Sequence, residues 1–449
     1  MMIENLLAAR LLMAISLGFH IIFAVAGMAM PFLMVIAEWR YIRTGHEIFR
    51  ELATRWAKGT AILFAIGAVS GTVLSFELGL LWPNFMAWAG PIIGLLFSLE
   101  GFAFFTEAIF LGVYLYGWNK IPPYLHLMSG VIVTVSGVLS AFFVVLANGW
   151  MNHPVGFQLL DGQPLQIAPL ATFTNPIGLH ESHHMILAAF VAVGFLVAGI
   201  HAFFLLRQPE NPFHQEALRI ALITGGFAAL LQPLSGDLLA RAVATFSPIK
   251  LAALEGHFHT TSGASFWIGG IPDVSTATVS YGIEIPYGLS LLLHGDPMAS
   301  VPGLMDFPRQ DWPPLVIVHL AFQIMIASGF ILMAMSVWGL WKIWRQKCPW
   351  KSRGFLRCLV SCAPLGLIAI ESGWVVTEVG RQPWIIVGIM RTTDAVTPMP
   401  GLTVPLIFFT LLYLGLAGIV LWLLHRHLTV FPQTGEMSGP SSRGTHARS

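Results

Sequence analysis

The chain of 449 residues is 56% hydrophobic and only 10% charged, and its formal net charge is +1. A typical soluble domain is about 25% charged, so this composition excludes an ordinary soluble protein, and a charge near zero disfavours nucleic acid as a partner. Apolar runs of about 20 residues recur along most of the chain, which predicts transmembrane helices in a lipid bilayer. These runs are continuous, whereas the strands of a closed barrel alternate with a period of two.

Nine apolar segments predict an all-α integral membrane protein. In chain order the predicted transmembrane helices are 11–37, 59–81, 91–116, 125–148, 183–206, 217–240, 314–342, 357–379 and 401–425. They form one predicted membrane domain over residues 1–430. Residues 431–449 are rich in Gly, Ser, Pro and Thr, which predicts a disordered tail. The longest segment between helices is 241–313, whose Gly and Pro content predicts turns.

Lys and Arg residues cluster at alternate ends of the predicted helices. Most of the 23 Lys and Arg residues follow the first, third, fifth, seventh and ninth helices. By the positive-inside rule, this side is cytoplasmic. The prediction therefore places the N-terminus and the 241–313 loop outside and the C-terminus in the cytoplasm, as an odd number of spans requires.

Six carboxylates lie within or at the ends of these apolar segments. They are Glu77, Glu100, Glu107, Asp237, Glu371 and Glu378. A charge inside a bilayer costs roughly 2.5–3.5 kcal/mol on insertion scales, so each needs a partner, a metal or a proton path.

Glu100 and Glu107 are seven residues apart on the third predicted helix, so their side chains share a face. They stand about 10 Å apart along the axis. This spacing suits a water-bridged proton wire, and the alternative is two independent capping or helix–helix hydrogen bonds. Glu77 is a candidate extension of the same polar path from the second helix.

Histidines and one methionine occupy similar apolar settings. His20 lies in the first helix among small residues, which let a flat cofactor or another helix approach closely. The segment NPIGLHESHH places His180, His183 and His184 near the start of the fifth helix. Metal binding and interfacial polar roles both remain open for them. Met325 lies in the seventh helix, where a methionine is usually core but becomes an axial haem ligand when paired with a histidine.

The segment ESGWVVTEVGRQPW ends the eighth helix with Glu371, Trp374, Glu378 and Arg381. The two glutamates are again seven apart and share a face. A guanidinium just outside the membrane is well placed to bind a cofactor carboxylate with two hydrogen bonds. The alternative is an ion pair between Arg381 and Glu378.

The predicted outer loop contains KLAALEGHFHT, with Lys250 and Glu255 followed by His257 and His259. Lys250 and Glu255 are either a solvated pair or groups that hydrogen-bond a quinol headgroup and accept its protons.

Several of these segments together resemble subunit I of the cytochrome bd quinol oxidases, from Arg10 to about residue 425. The matching segments are GFHIIF, SFELG, LEGFAFFTEAIFLG, LANGWM, KLAALE followed by GIPD, and GWVVTEVGRQPW. The resemblance implies nine helices and a terminal oxidase that oxidises quinol at the external loop and reduces oxygen to water. The short loop resembles the group that includes the cyanide-insensitive oxidases.

The resemblance also implies the haem ligands. His184 and Met325 would be the two axial ligands of a low-spin haem b. His20 and Glu378 would each ligate one of two high-spin haems, a haem b and usually a haem d. Which of the two residues holds which haem stays open, as does a bd-type oxidase without haem d.

Other site residues follow from the same resemblance. Trp374 would lie between haems, and Arg10 and Arg381 would lie near haem propionates. Gln323 departs from the pattern, since some relatives carry Arg there. This leaves the electrostatics around the low-spin haem open.

For the reaction, the resemblance implies that Lys250 and Glu255 bind and oxidise quinol, and that Glu100 and Glu107 line a proton route from the cytoplasm. The implied partners are subunit II, a small single-span subunit, ubiquinol or menaquinol, and oxygen. The implied location is the bacterial cytoplasmic (inner) membrane. A proton-coupled transporter explains the carboxylates but not His184, Met325 or the Trp374–Arg381 segment, and a haem-bearing anchor without oxygen chemistry is a third reading.

Overall fold

The computed structural model describes residues 2–346 and 348–429. The helices in chain order are α1 (Met2–Thr44), α2 (Glu47–Leu81), α3 (Pro83–Tyr116), α4 (Pro123–Asn152), α5 (Pro176–Arg207), α6 (Pro212–Phe246), α7 (Pro248–Glu255), α8 (Gly288–His294), α9 (Leu315–Gln346), α10 (Arg353–Cys362), α11 (Leu365–Val379), α12 (Thr392–Ala395) and α13 (Thr403–Thr429). Within the described ranges, 9 helical spans are long and apolar enough to cross a membrane. The predicted count of spans is confirmed.

The helices are longer than the apolar segments that predicted them. Helix α1 begins at Met2 and α2 at Glu47, because their polar first turns continue the helix beyond the hydrocarbon. The eighth span is built from α10 and α11, which are separated at Ala363 and Pro364. Proline has no backbone N–H to donate, so the helical hydrogen bonding is interrupted there.

Proline marks the start of several helices. Pro83, Pro123, Pro176 and Pro212 each occupy a first helical position, where the missing N–H costs no hydrogen bond. Asn175 caps α5, since its side-chain oxygen accepts a hydrogen bond from the Gly178 N–H at 2.9 Å. This cap fixes where the segment bearing the three histidines becomes helical.

Four helices form a ring that positions part of the candidate site. Helix α5 packs on α6 and α11, and α9 packs on the same two helices. Helices α5 and α9 therefore occupy diagonal corners of the ring. The α5–α6 contact is close because a Cβ atom built on Gly194 would lie 2.5 Å from the Gly225 Cα. Two glycines allow the helix backbones to touch at this point.

The loops contain short strands, which form two-stranded antiparallel pairs. They are β1 (Gln158–Leu160), β2 (Gln163–Leu165), β3 (Thr261–Ser262), β4 (Phe266–Ile268), β5 (Ile271–Asp273), β6 (Thr278–Ser280), β7 (Ile283–Ile285), β8 (Ser300–Val301), β9 (Trp384–Ile386) and β10 (Met390–Arg391). The pairs are β1–β2, β3–β8, β4–β7, β5–β6 and β9–β10.

The segment between α6 and α9 contains short elements and turns, as its Gly and Pro content predicts. Gly256 ends α7 in the left-handed conformation with φ +64°, and a Cβ atom there would lie 2.9 Å from Val279. Glycine therefore lets the β5–β6 hairpin fold against the end of α7. The predicted disordered tail, residues 431–449, lies outside the described residues.

Candidate functional site

His184 faces α6 from the second turn of α5. The Gln232 amide nitrogen lies 3.1 Å from His184 Nε2 and donates to the His184 carbonyl oxygen, also at 3.1 Å. One turn further along α6, a Cβ atom built on Gly236 would lie 3.4 Å from His184 Cε1. The same amide nitrogen lies 3.3 Å from His184 Nδ1, so Gln232 packs against the imidazole ring, and Gly236 leaves room beside it.

Met325 lies on α9, at the corner of the ring diagonal to α5. A Cβ atom built on Gly373 of α11 would lie 3.2 Å from Met325 Sδ. Each predicted axial ligand thus has a glycine on an adjoining helix, Gly236 for His184 and Gly373 for Met325. A nitrogen and a thioether donor on diagonal helices, each beside a glycine, fit a flat cofactor in the ring.

His20 is oriented by Ser70 of α2. Its Nδ1 lies 3.0 Å from Ser70 Oγ, and that hydroxyl donates to the Ile66 carbonyl at 2.9 Å. Because the hydroxyl proton is used there, the imidazole Nδ1–H donates to Ser70, which leaves the Nε2 lone pair for a metal. A Cβ atom at Gly71 would lie 2.8 Å from the ring, so α2 closely approaches this histidine.

Glu378 is bound by two neighbours at the end of α11. Arg381 Nη2 donates to Glu378 Oε2 at 2.6 Å, and Asn148 of α4 donates to Oε1. The ion pair that the sequence left open is therefore present. It does not exhaust the guanidinium, because Arg381 Nε and Nη1 are buried without a partner among the described residues. Arg381 keeps two donors for a cofactor carboxylate.

The polar face of α11 reaches α1 close to His20. A Cβ atom built on Gly18 would lie 3.3 Å from Glu371 Oε2, and Gly18 is two residues from His20. Glu371 Oε1 and Trp374 Nε1 are buried with no hydrogen-bond partner in the described part of the chain. Buried polar atoms are normally satisfied, so this face of α11 fits a bound group that supplies hydrogen bonds.

Glu107 is buried at the contact of three helices. A Cβ atom at Gly27 of α1 would lie 3.4 Å from Glu107 Oε1, and one at Gly137 of α4 would lie 3.3 Å from it. The carboxylate therefore fits between two glycines. Glu100 lies seven residues earlier on the same face of α3 and is half-buried. The structure places both on one side of the helix, as their spacing predicts.

Other sequence candidates have individual surroundings. Asp237 is paired with Arg241 on its own helix at 2.8 Å, so it takes no part in the Glu100–Glu107 face. Both carboxylate oxygens of Glu77 are buried without a partner among the residues described, and Ser16 of α1 is adjacent. Arg10 lies half-buried on α1.

The three histidines of α5 do not form a metal site of their own. His183 is exposed, and its Nδ1 lies 2.6 Å from the Leu179 carbonyl of the same helix. Within residues 2–346 and 348–429, no group of three or more His, Cys, Asp or Glu side chains could hold a metal ion. A metal site built from all three histidines therefore has no support, and metal binding by His184 alone stays a prediction.

Lys250 is buried, and its ammonium points toward the membrane helices. Its Nζ donates to Asn152 Oδ1 at 3.0 Å and to the Thr377 carbonyl at 3.4 Å. Burial lowers the Lys250 pKa to about 8, and the nearby Glu181 charge opposes this decrease. Lys250 thus links α7 to the residue that precedes Glu378.

Glu255 lies at the other end of α7 and is 2% exposed. Residues five apart on a helix are about 140° apart around the axis, so Glu255 and Lys250 do not share a face. Burial raises the Glu255 pKa to about 8, and its Oε2 has no partner within the described ranges. A solvated Lys250–Glu255 pair, one of the two sequence readings, is therefore wrong.

Gln323 and His319 tie α9 to the loop beside Glu255. Gln323 accepts from the Gly269 N–H at 2.9 Å and donates to the Trp267 carbonyl at 3.1 Å. His319 Nδ1 lies 2.7 Å from the Leu254 carbonyl. The neutral Gln323 amide thus holds the end of β4. The sequence did not predict this role, because Gln323 stood out there only as a neutral residue where some relatives carry Arg.

Several further polar residues were also missed. They are Ser70, Asn148, Asn152, Glu181 and Gln232, which touch or flank the candidate ligands from neighbouring helices. Asn148 and Asn152 were visible as polar residues in the apolar LANGWM region, four residues apart on one face. The partners of such residues depend on how helices are rotated against each other, which sequence spacing alone does not give.

These features define a multi-pass helical membrane protein whose imidazole, thioether and carboxylate donors fit haem. The family model described as cytochrome bd terminal oxidase subunit I matches residues 8–432, and the chain belongs to this family. It is thus part of a quinol:oxygen oxidoreductase of the respiratory chain, with haem cofactors and a second subunit as partner.

Known proteins match along nearly the whole chain. A candidate cytochrome bd menaquinol oxidase subunit I of Bacillus subtilis (strain 168) is 34% identical over 98% of this chain and 100% of the relative. A cytochrome bd ubiquinol oxidase subunit 1 of the same organism is 30% identical over 95% and 94%. The structure of the bd oxidase from Geobacillus thermodenitrificans superimposes with a TM-score of 0.90 at 37% identity, covering 95% of this chain and 99% of that one.

Proposed function

We propose that this chain oxidises quinol beside α7 on the outer face of the bacterial cytoplasmic membrane and reduces oxygen to water within the helix bundle. The observation that carries the proposal is a set of unsatisfied polar groups on α11 and just after its end. Glu371, Trp374 and Arg381 all bury polar atoms that lack partners among the described residues. Haem propionates accept hydrogen bonds and would therefore satisfy the Arg381 and Trp374 donors.

His184 and Met325 are proposed to be the two residues that would hold a low-spin haem b. Their diagonal placement in the α5–α6–α9–α11 ring and the adjoining glycines support this. A thioether paired with an imidazole raises the haem potential, so this site suits the acceptance of electrons from quinol.

His20 and Glu378 are the proposed single protein ligands of a high-spin haem b and a second high-spin haem, of d type or a further b type. When bound, a haem with one protein ligand supplies an open position at which oxygen reacts. Ser70 sets the tautomer of His20. Asn148 and Arg381 hold the Glu378 carboxylate in place through their hydrogen bonds to its two oxygens.

Three residues of the chain are proposed to support these sites. Arg381, with two buried unpaired donors, and Arg10 would bind propionates through charge-assisted hydrogen bonds. Trp374, on the face of α11 between Glu371 and Glu378, would fill the space between haems.

Lys250 and Glu255 are the proposed quinol-site residues of the 241–313 loop. Glu255 is the better candidate for a proton acceptor, since its buried Oε2 has no partner among the described residues and its pKa of about 8 suits a general base near neutral pH. Lys250 is proposed to support the quinol site from its membrane side, through its hydrogen bonds to Asn152 and to the Thr377 carbonyl. Relatives named for menaquinol and for ubiquinol both match the chain, so both quinols are candidate substrates.

Glu100 and Glu107 are proposed to carry protons from the cytoplasm to the oxygen site. This follows from their common face on α3 and from the positive-inside orientation, with the N-terminus outside and the C-terminus inside. A small single-span subunit is a further proposed partner beside subunit II. A transporter without redox chemistry leaves the ligand set of His184, Met325 and His20 unexplained.

Substituting Met325→Leu is expected to remove the low-spin signal from the reduced-minus-oxidised spectrum while the high-spin bands persist. Leucine fills a similar volume but has no sulfur lone pair, so the iron would lose one axial ligand. Met335→Leu is the matched control, because Met335 is buried on the same helix at 7% exposure outside the ring site. An unchanged low-spin spectrum in Met325→Leu would exclude this ligand.

The pH dependence of quinol oxidation is expected to follow Glu255. Below its pKa of about 8 the carboxyl is protonated and cannot accept a proton, and above it the carboxylate can. The kcat/KM for quinol should therefore rise about tenfold per pH unit below pH 8 and level off above it. Glu255→Gln should abolish this rise, whereas Glu284→Gln, at an exposed position on β7, should keep it. A wild-type pH profile in Glu255→Gln would contradict the assignment.

A further inference from the structure

A second buried acid–imidazole pair lies between α1 and α4. Glu38 Oε1 is 2.7 Å from His126 Nδ1, and the two side chains are 2% and 3% exposed. His126 Nε2 lies 2.9 Å from the Tyr114 carbonyl, which only accepts, so this nitrogen carries a hydrogen. One proton then remains to be shared between Nδ1 and the carboxyl group. The pair can hold it as imidazolium–carboxylate or as neutral imidazole and acid.

Polar atoms without partners surround this pair. Glu38 Oε2, the Tyr114 hydroxyl and Trp118 Nε1 are all buried and unpaired among the described residues. The Tyr114 side chain faces Glu38, and the Trp118 ring centroid lies 4.2 Å from that of His126. Buried polar groups are normally hydrogen-bonded. One carboxylate oxygen and two donors, the Tyr114 hydroxyl and the Trp118 N–H, are partners of the kind that a buried water molecule needs.

The pair lies along the same contact between α1, α3 and α4 as Glu107, and this contact is called the three-helix seam. Tyr114 follows Glu107 by seven residues, so both face the same side of α3. On α1, Glu38 follows Gly27 by eleven residues, and on α4, Gly137 follows His126 by eleven, which is close to three full turns.

Close contacts confirm that these residues face the seam. Gly27 and Gly137 flank the Glu107 carboxylate. Gly130 lies between His126 and Gly137 on α4, and a Cβ atom built on it would lie 2.7 Å from the Tyr114 ring. The two carboxylates are thus linked by one three-helix seam, with Glu107 and Tyr114 about 10 Å apart along its axis.

The seam ends among cations. Arg40 follows Glu38 by two residues, and Lys120 lies in the turn before α4. The Arg50 guanidinium lies 5.6 Å from the Trp118 ring centroid and donates to Asn119 at 2.9 Å. Under the positive-inside rule this is the cytoplasmic end, where protons for oxygen reduction are taken up.

We propose that Glu38 and His126 load protons at the cytoplasmic end of the route to Glu107. This inference rests on the proposed proton source. The pair accepts one proton from water at the cytoplasmic surface and passes one proton through water in the seam toward Glu107, so its own charge is restored. The residues touch no substrate and act as relay groups, with Tyr114 positioning the water between them.

The test uses the assembled enzyme with its second subunit. Fully reduced enzyme is mixed with oxygen in a weakly buffered solution, and a pH-indicator dye follows proton uptake. Glu38→Gln keeps the shape of the side chain but removes the exchangeable acid, so uptake should slow at least about tenfold. Haem content and the KM for quinol should stay unchanged. His201→Gln is the control, since His201 is also buried and hydrogen-bonded to another histidine, His214, at 2.9 Å, but lies on α5 outside the seam.

The possible outcomes separate this inference from the proposed proton route. Normal uptake in Glu38→Gln together with slowed uptake in Glu107→Gln overturns the role of the pair and keeps the route. Normal uptake in both variants contradicts the route itself. If Glu38→Gln does not assemble, Tyr114→Phe decides, since it removes one hydroxyl only: slowed uptake supports the relay and normal uptake overturns it.

Discussion

Glu107→Gln is expected to lower the steady-state oxygen consumption about 100-fold while the haem spectrum stays that of the unmodified enzyme. Proton transfer by a positioned side chain contributes about 10²- to 10⁴-fold, and glutamine cannot carry a proton along the route. The substitution is nearly isosteric, so the close packing of this side chain against Gly27 and Gly137 is retained. Oxygen consumption with excess quinol and the haem content per chain are the two measurements.

Asp237→Asn is the matched control for this experiment. Asp237 is also a carboxylate in a membrane-spanning helix, but it is paired with Arg241 on α6 at 2.8 Å and lies on a different helix from Glu107. Its substitution should leave turnover within about twofold of the unmodified enzyme. Normal turnover in Glu107→Gln would contradict the proton route, and loss of haem would assign Glu107 a structural role instead.

His20→Ala is expected to remove one high-spin haem signal and to abolish oxygen reduction, a loss of at least about 100-fold. The imidazole is the single protein donor proposed for that iron, so its removal would leave the iron without a protein ligand. The substitution also leaves space where the ring stood against Gly71. Added imidazole should therefore bind there and restore part of the high-spin spectrum, which a purely structural histidine would not allow.

His183→Ala serves as the control for His20→Ala. His183 is exposed on α5, and its Nδ1 contacts only a carbonyl of its own helix in the described structure. Its removal should leave all haem bands in place. An intact high-spin spectrum in His20→Ala, or no response to imidazole after haem loss, would contradict the ligand assignment.

The nine spans were predictable because each crosses the bilayer with an apolar run, and length and hydropathy alone report this. The end of each helix was less predictable. Helices α1 and α2 continue through polar turns beyond the hydrocarbon, and the break between α10 and α11 depends on Pro364 within a segment that otherwise reads as continuous. Apolar patterning marks where the membrane is, and backbone hydrogen bonding determines where the helix stops.

The candidate site was predictable to the extent that its residues share one helix. Glu100 and Glu107 share a face, as seven-residue spacing requires. The contacts of Glu378 with Asn148 and of His20 with Ser70 join helices distant in sequence. They depend on the rotation of each helix in the bundle, which a single sequence does not specify. The burial of Lys250 was missed for the same reason, because its partner Asn152 lies on α4.

Pigment analysis of the assembled two-subunit enzyme decides whether the helix bundle holds three haems. Haems are extracted and quantified per chain, and the reduced-minus-oxidised spectrum is recorded from the same preparation. We expect one low-spin haem b and two high-spin haems, each lost selectively when its proposed ligand is substituted. An assembled preparation, supplied with haem, that contains only low-spin haem or none would contradict this expectation.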